Sequence, residues 1–358
     1  MLRKVTERYR RADLSEVIDG NHRVTQTAQP ALEKTILRGE AFRRLKQVVP
    51  WILVVGVIAL IARFIDVRAT ITALHHLAPQ AIALTILLFL LDRFSMSSKW
   101  NILLRARGYW LSQWDAFRIY LASGFVGYMI PATVGGDIFR AARLAPGRSA
   151  SRVSATIVLE RVLGLLAIFA LSSVGLLCII LEGRTELISL FAAVLAALLL
   201  GSVVTGISMS DRLYRFLRKA TARIHGNRIT EMLHSLHREY LTLSKGVRPL
   251  TWFFLLSIMN QLIRTLLYVP VLISLGVDPN LLALFALLPL SKAFVQFMPV
   301  PAGIGVGEGA QVAALTLAHV PASQALVVAL VLRAVELITL APAGLAYIAD
   351  AWRLRKTA

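Results

Sequence analysis

Cysteine and acidic residues are what this sequence lacks most. Its one cysteine, Cys178, sits inside an apolar run, so neither a disulfide framework nor a Cys-based zinc site can be assembled. Asp and Glu number 20 against 39 Lys and Arg, a formal charge of +19, yet charged residues make up only 16% of the chain. A basic nucleic-acid-binding domain would spread its Lys and Arg through a polar sequence. Here 57% of residues are hydrophobic, and long apolar runs alternate with short basic segments. That pattern reads as an all-α integral membrane protein, and no nucleic-acid partner is expected. Enzyme signatures are equally scarce: there is no HExxH, no P-loop and no GxSxG. Gly303, Gly305, Gly307 and Gly309 imitate a dinucleotide fingerprint but follow no strand. His75-His76, His234 and His237 do not build a metal site, and the lone Glu231-x-x-His234 falls short of a di-iron bundle. No metal and no cofactor are expected.

Six apolar runs are long enough to cross a hydrocarbon core of about 30 Å: 49–65, 80–97, 154–181, 187–208, 250–275 and 322–349. Six alternating crossings separate the remaining segments into two classes. One class, 1–48, 93–118, 140–152, 209–249 and 351–358, holds thirty-two Lys and Arg; the other holds only Arg68 and Arg184. Both termini are therefore expected in the cytoplasm, with much of the positive charge facing anionic lipid headgroups. Segment 1–48 reads as a cytoplasmic basic lead-in without a signal-peptide core, 49–350 as the membrane domain and 351–358 as a cytoplasmic tail. Within 209–249, two stripes at helical spacing, one including Leu213, Phe216 and Leu217 and the other Leu233, Leu236 and Tyr240, suit amphipathic helices. They lie either on the cytoplasmic leaflet or against the protein itself.

Two apolar stretches, 117–131 and 282–299, run into Pro and Gly before completing a crossing. The first continues through Pro131, Gly135, Gly136 and Asp137 to Arg140; the second through Pro299, Pro301, Gly303, Gly305 and Gly307 to Glu308. A Gly precedes the first Pro by 23 residues in each, Gly108 before Pro131 and Gly276 before Pro299. Offsets of 168 to 176 residues between matching features are what an internal duplication leaves. Three crossings lie between the two copies, so the second should be inverted, with two re-entrant segments meeting near the midplane. The glycines would let backbone approach a ligand, and the helix starts after Gly136 and Gly307 would offer N–H groups to phosphate oxygens.

A charge at the bilayer centre costs about 2.5–3.5 kcal/mol on insertion scales and so needs a partner or a purpose. Asp137, Arg140, Glu160, Arg161, Arg264, Lys292, Glu308, Arg333 and Glu336 all fall in that category. Arg333 and Glu336 can pair on one helix face, Glu160 and Arg161 must find partners elsewhere, and Asn260 with Arg264 forms a polar stripe. Arg161, Arg264 and Arg333 are the best candidates for an anionic headgroup.

Pro131-x-x-x-Gly135-Gly136-Asp137-x-x-Arg140, then Glu160-Arg161-x-x-Gly164, then Pro299-x-Pro301-x-Gly303-x-Gly305-x-x-Glu308, resembles the lysylphosphatidylglycerol synthase transmembrane, or flippase-like, family over roughly residues 45–350. That resemblance implies a translocator of aminoacylated phosphatidylglycerol, polyprenyl-linked sugars or related lipids in a bacterial inner membrane, without the soluble aminoacyl-transferase domain of one branch. Where the family often has an Asn shortly before the first Pro, this chain has Tyr128 and Met129. Two other functions fit the same residues. One is an embedded headgroup-modifying enzyme with Asp137 or Glu308 as general base; the other is a scaffold docking lipid-biosynthesis enzymes on 209–249.

Overall fold

The computed structural model describes residues 77–129, 135–144, 150–220, 234–235, 237–242, 245–298 and 304–357. The expected crossing 49–65, the lead-in 1–48, and Pro131, Pro299, Pro301 and Gly303 lie outside the described residues. Among those described, the regular structure is entirely helical. In chain order the helices are α1 (Pro79–Ala106), α2 (Gln113–Met129), α3 (Gly135–Leu144), α4 (Ala150–Leu181), α5 (Ile188–Ser208) and α6 (Asp211–Ala220). They continue as α7 (Val247–Leu266), α8 (Val269–Ser274), α9 (Leu281–Phe297), α10 (Val306–Leu317) and α11 (Ala322–Thr357). Five stretches are long and apolar enough to cross a membrane: Pro79–Ala106, Ser151–Leu181, Thr185–Ser208, Arg248–Ser274 and Ala322–Tyr347.

Several helices exceed or divide the expected spans. Helix α1 extends to Ala106, which moves Arg93 and Lys99 from a presumed loop into a membrane helix. Expected crossing 250–275 is two helices, because Pro270 in the first turn of α8 has no N–H for a continuing ladder. Helix α11 continues through the presumed tail to Thr357.

The segments expected to be interrupted are short helices. Helices α2 and α9 each have 17 residues, about 25 Å at 1.5 Å per residue and short of a hydrocarbon core of about 30 Å. They also sit in register. Each bound of α2 precedes the matching bound of α9 by 168 residues, as do the start of α1 and the start of α7 and the ends of α1 and α8. The caps match as well. Gly108 has φ 76° and Gly276 φ 73°, a left-handed conformation that suits glycine. In both places the following N–H reaches back five residues, Tyr109 to Leu104 and Val277 to Leu272, each at 3.0 Å. These are the same helix-terminating turn built twice.

Packing between the halves is exchanged in kind: α2 packs on α11, α9 packs on α4, and α1 packs on α7. Gly175 on α4 brings α9 close, since a Cβ there would lie 2.9 Å from Ala286 Cβ. The main core is formed where these helices meet, with Leu176, Leu272, Leu284, Leu287, Leu315 and Val327 each 2% exposed or less. Outward faces remain apolar, including Leu199, Leu200, Val203 and Val204 on α5, as a lipid-facing helix requires.

The 209–249 segment divides between its two expected placements. On α6, Phe216 is 66% exposed with Arg212, Arg215 and Lys219 also exposed. Tyr240 and Leu241 are instead buried in the bundle, Tyr240 in the same apolar cluster as Leu103, Leu159 and Phe253. Glu239 is clamped there by Arg107 and Arg152. Burial pushes the Tyr240 phenol above its usual pKa, and the Ser208 hydroxyl partly offsets this.

Candidate functional site

Both halves contribute to one polar cavity of about 330 Å³. Asp137, Arg140, Glu160, Arg161, Arg264, Arg333 and Glu336 line it, together with Gly136 and Lys292. Gly135 and Gly305 take structural places beside it, and Glu308 reaches it through its partner Arg333.

The first half supplies a closed ion network. Helix α3 starts at Gly135, which sets Asp137 in its first turn and Arg140 one turn later on the same face. Arg140 donates to Asp137 and, at 2.8 Å, to Glu160 Oε2. Arg161 donates to Asp137, and the Tyr120 hydroxyl donates to Glu160 Oε1 at 3.0 Å. Thus Glu160 and Arg161, adjacent in α4, turn to different partners as helical geometry demands. The Arg140 guanidinium also lies over the rings of Trp100 and Tyr120 at 5.1 and 4.6 Å. Arg140 and Glu160 are only 4% and 5% exposed.

The second half repeats the central pair. Arg333 Nε donates to Glu308 across 25 residues of chain, matching Arg161 and Asp137 across 24. Its expected partner Glu336 lies farther off, at 3.7 Å. The interaction missing from the sequence reading is Tyr128 of α2, whose hydroxyl accepts from Arg333 Nη1 at 2.7 Å and links the two halves.

A third cluster sits between α1 and α7, and its centre is a residue the sequence reading passed over. Asp92 is fully buried and accepts from Arg264 Nε and Nη2 at 3.2 Å each, from Asn260 Nδ2 at 2.8 Å, and pairs with Arg93 at 2.9 Å. Asp92 and Asn260 are 168 residues apart, so they are counterparts in the repeat that touch each other. The signal for finding Asp92 was the one already in use, a charge inside an apolar run. It was lost because Arg93 beside it was taken to mark a loop.

Two expectations about glycines and helix starts are corrected. A Cβ on Gly136 would lie 2.6 Å from the Ser123 carbonyl oxygen, so this glycine lets α3 fold back against α2, and it also lines the cavity. The start of α10 is occupied by its own side chain: Gly305, at φ 77°, donates its N–H to Glu308 Oε2 at 2.6 Å. A carboxylate already sits at the positive end of that helix dipole, leaving no welcome for phosphate there.

Arg93, Lys99 and Arg140 belong to this cavity, which leaves twenty-nine of the thirty-two basic residues to carry the orientation argument. Among the described residues no group of three or more His, Cys, Asp or Glu could hold a metal ion.

A search of curated proteins finds none that matches. The family model for the lysylphosphatidylglycerol synthase TM region matches residues 47–344, which takes in both short helices and every charged residue of the cavity, and the chain belongs to that family.

Proposed function

We propose that the protein translocates a lipid with an anionic headgroup across the membrane, the headgroup passing through the cavity while the tail stays in lipid. One observation carries this reading. Seven cations line the cavity, Arg93, Lys99, Arg140, Arg161, Arg264, Lys292 and Arg333, and five carboxylates line it or pair with those cations: Asp92, Asp137, Glu160, Glu308 and Glu336. The excess of positive charge favours an anion in a place where any unpaired charge is costly. Short helices from both halves border the same space, which fits an inverted pair of re-entrant segments around a midplane site. A headgroup competing for the Asp137–Arg161 and Glu308–Arg333 pairs would loosen one contact of each half and shift the balance between two openings.

The asymmetry of the basic loops supports a reading with both termini on the cytoplasmic side of an inner membrane. A headgroup-modifying enzyme is a weaker reading, because both candidate bases, Asp137 and Glu308, are engaged by guanidinium groups. Transport needs no cofactor of its own and would be passive, ion-coupled or drawn by consumption of the lipid beyond the membrane.

The test is leaflet accessibility in liposomes containing fluorescent phosphatidylglycerol, comparing the full chain with Asp137→Asn and Arg333→Gln. Translocation by the parent protein and its loss in both variants is the expected result. Equal exposure in all three and in empty liposomes would overturn the reading.

A further inference from the structure

The cations of the cavity are not alike in how they are held. Every arginine has a carboxylate: Arg93 and Arg264 share Asp92, Arg140 and Arg161 share Asp137, and Arg333 has Glu308. Neither lysine has one within salt-bridge distance among the described residues. Lys99 on α1 is 2% exposed, yet its Nζ finds only the Ser257 hydroxyl and the Asn260 amide oxygen, each at 3.4 Å, and the face of Phe253 at 5.4 Å. Charge-assisted hydrogen bonds ordinarily close to about 2.7–2.9 Å. Lys292 on α9 makes no hydrogen bond or ion pair with a described residue. A third group is also unsatisfied: Gln261 is 5% exposed, lines the cavity, and its amide oxygen has no partner among the described residues.

Seven cations against five carboxylates leave two positive charges, and the two lysines are the cations of the cavity with no carboxylate at salt-bridge distance among the described residues. They stand on opposite sides of the repeat, Lys99 on the helix before α2 and Lys292 on α9 itself, and both face the one cavity. An ammonium group is a compact charge that binds phosphate oxygens without the planar geometry a guanidinium demands. Holding one buried and one partly buried ammonium with no carboxylate in contact is expensive unless a ligand supplies charge.

We propose that the cavity is built for a dianionic headgroup, a phosphomonoester or diphosphate, with Lys99 and Lys292 as its counter-ions and Gln261 as a hydrogen-bond partner. This rests on the translocator reading and narrows its substrate class. A singly charged phosphodiester would neutralise one lysine and leave the other uncompensated; a zwitterion would bring its own cation into a positive site.

Binding separates this inference from translocation. The full chain in detergent is titrated at pH 7.5, above the second phosphate pKa of about 6, with short-chain phosphatidic acid, phosphatidylglycerol, phosphatidylcholine and inorganic pyrophosphate. Phosphatidic acid is expected to bind at least about tenfold more tightly than phosphatidylglycerol. Lys99→Gln and Lys292→Gln should each remove most of that preference, and a parental gel-filtration profile and helical circular dichroism show that each variant folds. Equal affinity of the parent protein for the two lipids would overturn the dianion assignment, whatever the liposome assay reports. So would a preference that survives both substitutions. Pyrophosphate binding as tight as phosphatidic acid would keep the dianion and the lysines but assign the site to a soluble anion, overturning the lipid. A tenfold preference with no movement in liposomes would uphold the dianion and count against translocation alone.

Discussion

The two halves place one acid–arginine pair apiece on the same cavity, yet they surround it differently. In the first half Asp137 and Glu160 face Arg140 and Arg161, so charge is balanced within the cluster, and Tyr120 and Trp100 enclose it. In the second half a single arginine faces two carboxylates, and it also donates a hydrogen bond to Tyr128, a residue of the opposite half. A balanced network centred on the buried Arg140–Glu160 pair resists rearrangement. An arginine divided among three partners on different helices can exchange one for another, which is what a gate requires. On the translocator reading, matching backbones would carry unequal tasks, the first half anchoring and the second half yielding.

The substitution that should test this contrast hardest is Arg140→Gln. It strips Glu160 of its one cationic hydrogen-bond partner among the described residues while the carboxylate remains buried, and is expected to cost about 3–5 kcal/mol in denaturant unfolding of the detergent-solubilised protein. Arg333→Gln should cost clearly less, because Glu308 keeps the Gly305 N–H. Equal losses would erase the distinction between anchor and gate. Next in size is the glycine pair. Gly136→Ala drives a methyl group into a backbone oxygen and should destabilise by about 1–3 kcal/mol, whereas the same change at Gly307 meets only the mobile end of Arg333 at 3.1 Å. Thermal unfolding should rank them in that order, while liposome transport should suffer in both.

Tyr128→Phe removes one hydrogen bond between the halves, worth about 0.5–1.5 kcal/mol. Its effect on transport should exceed that of Tyr120→Phe, which removes a bond within the first half. The reverse order in the liposome assay would move the gate to the other side. Smallest is Phe216→Ser on α6, within about 0.5 kcal/mol of neutral for folding. It should lower association of the isolated 209–249 peptide with anionic vesicles if this face meets lipid.

Much of this site could be read from the sequence, and the residues that escaped did so for physical reasons. Glycine, proline and acid recurring at Gly108, Asp137, Gly276 and Glu308 exposed the duplication, because such residues in an apolar run are conspicuous. Charged members of the cavity announced themselves by the cost of burying them. Tyr120 and Tyr128 did not, since an aromatic ring in a membrane helix is ordinary and only tertiary contact shows where its hydroxyl points. Asp92 was hidden by its neighbour: a helix continuing to Ala106 looks, in hydropathy, as though it stops near Ser97. The distribution of partners was equally out of reach, because Arg333 choosing Glu308 over the nearer-in-sequence Glu336 is decided by how α10 packs on α11.

The contact between Asp92 and Asn260 carries a consequence of its own. In an assembly of two identical subunits, residues that meet on the symmetry axis must be the same residue, and an aspartate would confront another aspartate. Joining both copies in one chain lifts that restriction. Here the acid meets an amide that donates to it at 2.8 Å, and Arg264 stands where the matching position of the first copy has Met96. Covalent fusion thus permits a lopsided centre inside an evenly built frame, a freedom that no homodimer of either half possesses.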